Sequence, residues 1–183
     1  MGAVVEKPIK TNNSHIIDYA KKFRTDFLDI YLGAKCDFFV CRAVGIFAIP
    51  MVFRRSRVYV NFIPLDYIDS WGSKCISIFK KLWLRRERRF MTFREIFESG
   101  VGRFLRTEQY DRVEIEVVEN TPDEITQVVV EKDERLKGTW ETTEEDEELQ
   151  RRFWTLFKKS ELHGIIKARI GAEFLRQNKN LLD

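Results

Sequence analysis

The sequence predicts an α/β domain, a layer of parallel strands with an α-helical C-terminal extension. Three observations predict it. A short apolar run, Cys36–Cys41, leads through Gly45 and an apolar helix-like stretch to a second run, Val58–Phe62. That order is a strand–helix–strand crossover, which joins parallel strands. Two helix-opening patterns follow, Thr92-Phe93-Arg94-Glu95 and Thr121-Pro122-Asp123-Glu124, each a capping box. The stretch 139–183 then carries its apolar residues at helical spacing,. With 183 residues, one domain covering 1–183 is expected, and the chain can bury a core without disulfides.

Each element has a local reason. Residues 1–14 form an opening segment, with Pro8 and Thr11-Asn12-Asn13-Ser14 as turn chemistry,. Thr25 caps a helix to Ala34, with Phe27, Leu28, Tyr31 and Leu32 at helical spacing,. Cys36–Cys41 suits a buried strand,. Ile46–Phe53 reads as a second helix, although Pro50 disfavours a long regular one,. Val58–Phe62 is the next strand and Pro64 ends it. Asp66–Arg89 reads as irregular. Thr92 opens a helix to Ser99, closed by Gly100 and Gly102,. Glu114–Val118 alternates acids with Ile115 and Val117, a strand wet on one side,. Pro122 takes the first turn of a helix running to Lys137 and Gly138,. A long helix from Thr143 to Lys159 carries Leu149, Phe153, Trp154, Leu156 and Phe157, and a last helix holds Ile170, Phe174 and Leu175.

Charge is uneven although the net is only +3. Nine Lys or Arg face three acids between Lys80 and Arg106, and sixteen acids face four Lys or Arg between Thr107 and Glu148. The basic run Lys80–Arg89 could serve nucleic acid or anionic lipid. The favoured reading is a solvated run that pairs with the acidic segment of the same chain, so no nucleic-acid partner is expected. The three cysteines, Cys36, Cys41 and Cys75, are expected as free thiols of a reducing compartment. Cys36 and Cys41 would point to opposite faces of one strand. His15 and His163 lack ligand-like neighbours, and no metal site is expected. There is no signal peptide and no apolar run long enough to span a bilayer, so the chain reads as cytoplasmic.

Ligands of open parallel sheets bind beyond the carboxyl ends of the strands. The turn Arg42-Ala43-Val44-Gly45 is such a place. A helix start offers free N–H groups to a phosphate, Gly45 permits close approach, and Arg42 can pair a diphosphate. Asn61 and Pro64, at the end of the next strand, could line the same crevice, or simply stop the strand. Arg24 is a weaker candidate cation. Asp26 and Asp29 beside it suit the dipole of the Thr25 helix. No Walker loop, nucleophile elbow or zincin motif is present.

The ordered set Ile16–Ala20, Arg24–Leu32, Gly45-Ile46, Ile49-Pro50, Val60-Asn61, Pro64-Leu65, Thr92–Ile96, Glu119–Ile125, Asp146–Trp154 and Arg169–Leu175 resembles a bacterial family of glycosyltransferases found in surface-polysaccharide gene clusters. The resemblance covers nearly the whole chain and the C-terminal part of the family. It implies a GT-B architecture, with a Rossmann-like domain binding the nucleotide sugar and an acceptor-binding N-terminal domain missing upstream of Met1. It implies transfer of a sugar from a nucleotide donor to a glycan or other acceptor, with no cofactor and no bound metal. The chain departs from the family at Cys41-Arg42-Ala43-Val44, where small hydroxyl or Gly residues are expected, and at Phe79, where Pro is expected. By that comparison Arg42 and Val44 could fill space meant for phosphates. The alternatives are a non-catalytic interaction module and, less favoured, a nucleic-acid binder.

Overall fold

The computed structural model describes residues 7–42 and 45–183. The expectations for Ala43 and Val44 fall outside the described residues. Contacts divide the chain into two bodies, one of residues 7–39 and 45–56 and the other of 40–42 with 57–183.

In the first body, α1 (Tyr19–Lys22) leads to α2 (Asp26–Lys35). Thr25 caps α2 by accepting the Leu28 N–H, as expected,. The apolar positions of α2 are not its buried ones. Phe27 is 70% exposed and stacks on Tyr31 at 5.8 Å, whereas Asp29 and Gly33 are buried. Gly33 packs where a Cβ would lie 2.6 Å from Ile49, so the helix meets the 45–56 segment through a glycine. That segment is not the single helix expected. A 3-10 turn, Gly45–Phe47, runs into the short α3 (Ala48–Val52), and Pro50 sits inside its first turn, where its missing N–H costs nothing. Cys36 closes α2 instead of opening a strand.

The second body holds the core. A four-stranded sheet has the order β1 (Phe38–Cys41), β2 (Ser56–Phe62), β3 (Cys75–Phe79), β7 (Arg169–Ile170). β2 pairs with β3, and β3 with β7, in parallel. Every residue of β2 and β3 is buried, as expected for a covered parallel sheet. A second sheet, with order β5 (Arg89–Phe90), β4 (Lys81–Leu84), β6 (Ile115–Val118), is antiparallel. Asp66–Arg89 is therefore not irregular, since it supplies β3, β4 and β5. The 139–183 segment is not purely helical, since Ile170 lies in β7 and not in the last helix.

The remaining helices are α4 (Phe93–Ser99), α5 (Thr107–Arg112), α6 (Pro122–Lys137), α7 (Glu144–Leu156) and α8 (Ala172–Gln177). Thr92, Thr121 and Thr143 each close a capping box. Gly100 and Gly138 end α4 and α6 in the left-handed conformation,. The core is aromatic: Phe79 lies against Phe62, Phe93, Phe153 and Phe174 at ring-centre distances of 5.4–6.3 Å. The thiols of Cys41 and Cys75 are buried, which pushes both up to about 12, so neither is a ready nucleophile.

The charge asymmetry resolves into ion pairs. The register sets Leu84 opposite Ile115 and Trp83 opposite Glu116. Lys80 reaches Glu119, Lys81 reaches Glu124, Arg85 reaches Glu116 and Arg86 reaches Glu114. Four cations of the basic run are thus partnered by the acidic segment of the same chain, while Arg89 pairs with Glu87 and Glu95.

Arg89 binds both oxygens of Glu95, at 2.8 and 2.6 Å, while Glu95 also accepts the Thr92 N–H. The Arg89 guanidinium, foremost, holds the Glu95 carboxyl down at about 2, below its ordinary 4.5. A depressed folded pKa contributes stability that is present above the unfolded value and lost as pH falls through the folded one. The wild type should therefore lose stability between pH 4.5 and about 2. Arg89→Ala should be less stable at pH 7 and show a shallower loss across that window in chemical denaturation. An unchanged slope would contradict the assignment.

Candidate functional site

The carboxyl ends of β2 and β3 are level, with Phe62 opposite Phe79. Lys80, the residue after β3, donates its N–H to the Phe62 carbonyl. Near the end of β2, Asn61 takes φ +52°, a left-handed value that asparagine tolerates better than most residues. The β2–β3 register shifts at this point. The Asn61 N–H goes instead to Asn120 Oδ1 at 2.6 Å, and the Asn120 N–H returns to Asn61 Oδ1 at 2.6 Å. Asn120 Nδ2 donates to the Phe79 carbonyl at 2.7 Å. Both asparagines are buried. This clamp fixes the chain leaving β6 against the ends of β2 and β3.

The residue before Asn120 is Glu119, and its carboxylate collects two cations. Arg42, which follows β1, donates Nη2 to Oε1 at 3.1 Å and to Oε2 at 3.2 Å. Lys80 Nζ lies 3.1 Å from the same Oε1. Lys80 first, then Arg42, hold the Glu119 carboxyl below its ordinary value. Arg42 and Glu119 are about half exposed, so the cluster faces solvent. Two cations from the ends of β1 and β3 thus meet around one anionic group at the carboxyl edge of the parallel sheet, where ligands of such sheets bind.

No known protein family, curated protein or solved structure matches the chain.

The sequence-derived site residues fare differently. Arg42 and Asn61 come together at this edge, Arg42 through Glu119 and Asn61 through Asn120. Pro64 follows β2 and precedes a 3-10 turn, Leu65–Tyr67. Gly45 and Arg24 belong to the other body. Gly45 opens a 3-10 turn of three residues, which lacks the aligned peptides that make a long helix start attractive to phosphate. A Cβ there would meet nothing within 4 Å, so packing does not require the glycine. Arg24, just before the cap of α2, pairs with Asp26 at 3.1 Å and Asp29 at 3.0 Å, both in the first turn of that helix. The start of α8, beside the end of β7, is also taken, since Ala172 N–H donates to buried Glu131 at 2.7 Å.

Sequence reasoning missed Lys80, Glu119 and Asn120. Lys80 is submerged in the basic run, and Glu119-Asn120 looks like the lead-in to the Thr121 cap. The available signal was position, because each stands one or two residues beyond a strand end. Open grooves elsewhere, one lined by Thr142–Glu144, Trp154 and Ile166–Arg169 and another by Leu105–Gln109, contain none of these residues. Among the described residues no cluster of His, Cys, Asp and Glu is arranged to hold a metal ion, and no helix is long and apolar enough to cross a membrane.

Proposed function

We propose that the chain is a nucleotide-sugar-binding domain of a glycosyltransferase, taking the donor diphosphate between Arg42 and Lys80. The observation that supports this reading is the convergence of those two cations on one carboxylate at the carboxyl edge of the parallel sheet. Arginine presents paired N–H donors to phosphate oxygens, and lysine adds a point charge. In sugar transfer the glycosidic bond to the diphosphate breaks as the acceptor oxygen bonds to the sugar carbon. Fixed cations then stabilise the negative charge left on the diphosphate. Asn61, Asn120 and Pro64 would form the crevice wall. The acceptor is a glycan or another hydroxyl compound.

The test is a thermal-shift titration with UDP, GDP, CMP and ADP and their sugars. One nucleotide family should stabilise the chain saturably, by about 2.7 kcal/mol at a hundredfold excess over Kd. Arg42→Ala and Lys80→Ala should each weaken that response at least about tenfold in apparent Kd. No response to any nucleotide would reject the reading and leave a non-catalytic interaction module as the alternative.

A further inference from the structure

We propose that Glu119 is a built-in competitor for the anion held by Arg42 and Lys80, an autoinhibitory contact that a phosphate ligand must displace. The inference rests on the anion-site reading above. Among the described residues, the Glu119 side chain hydrogen-bonds to those two cations alone. Its carboxylate is about half exposed, so it can leave without uncovering the core. Its backbone cannot leave, because Asn120 is clamped to Asn61 and Phe79.

The consequence is a tethered anion facing a pair of cations. With Glu119 in place the three side chains carry one net positive charge, and without it two. Any phosphate group must displace a carboxylate that holds the advantage of a high effective concentration. A diphosphate brings more charge and a second set of acceptor oxygens, so it binds the freed cations more tightly, while the cost of displacing the carboxylate is the same. The neighbouring Lys81 is occupied by Glu124 at 2.8 Å and does not offset the competition.

The experiment is isothermal titration of the intact chain with inorganic pyrophosphate and with inorganic phosphate, at one fixed ionic strength, for wild type and Glu119→Gln. Glutamine keeps the size and removes the charge, and the exposed position keeps the fold safe. The wild type should bind pyrophosphate at least about tenfold tighter than phosphate. Glu119→Gln should bind both more tightly, each by at least about threefold, because the displacement cost is common to the two ligands. Unchanged or weaker binding by the variant, or no pyrophosphate binding by either protein, would overturn the proposal. Nucleotide sugars titrated in parallel separate the two claims. If pyrophosphate behaves as stated but no nucleotide sugar binds, the competition stands and the donor reading fails. If a nucleotide sugar binds both proteins equally and Arg42→Ala as well, the competition fails and the donor binds elsewhere.

Discussion

Phe79→Ala should destabilise the second body by about 3–5 kcal/mol, the usual cost of emptying a buried phenylalanine site. Phe79 has no exposed surface. Its ring touches Phe62 from β2, Phe93 from α4, Phe153 from α7 and Phe174 from α8. The substitution therefore removes the shared neighbour of four elements, three rings met edge-on and Phe153 stacked on it, and side chains fixed on four separate elements cannot all move inward to refill the space. Urea denaturation should show a lower midpoint with little change in slope, and Phe79→Leu should lose about half as much. A loss below about 1 kcal/mol would mean that this ring is not the keystone of the core. Position 79 closes a buried parallel strand, and its carbonyl is bound by Asn120.

Asn120→Ala should cost about 2–4 kcal/mol and also abolish anion binding. Alanine would leave the Asn61 N–H and the Phe79 carbonyl without the partners they have now. Each orphaned buried group costs about 1–3 kcal/mol. The functional loss follows from position, because Asn120 holds the Phe79 carbonyl and the residue after Phe79 is Lys80. Asn61→Gly is the informative companion. It tolerates the left-handed backbone and keeps the N–H bonded to Asn120, but loses the return bond from the Asn120 N–H. Its stability loss should be smaller, measured in the same denaturation series. If Asn120→Ala were as stable as wild type, the clamp would not be holding the strand ends.

The helices were legible because their ends announce themselves chemically. Thr92, Thr121 and Thr143 each precede an acid at the third helical position, and the capping boxes form as the spacing requires. β2 was legible as a run of β-branched and aromatic residues. β4 and β5 were hidden because their charges masked the alternation of Leu82 and Leu84 with flanking polar residues. Only the ladder with β6 reveals why Arg85 and Arg86 stand there, since Glu114 and Glu116 oppose them. β7 was hidden for another reason. Two residues, Arg169 and Ile170, form the whole strand, too few to show any period. Arg42 was legible in the site as a cation after a strand end. Its partner Glu119 is 77 residues away, and no local pattern links them. The apolar residues of α2 mark a helix by their spacing. The spacing fixes the helix, but it cannot say whether anything covers Phe27 and Tyr31.

The most direct measurement of the central claim is an amide NMR titration of the isotope-labelled chain with a nucleotide sugar from each base family. Binding as proposed predicts saturable shifts confined to Arg42, Asn61–Leu65, Lys80 and Glu119–Thr121, and their absence in Arg42→Ala. Shifts centred on the Thr142–Arg169 groove, or no shifts with any nucleotide sugar at millimolar concentration, would contradict it.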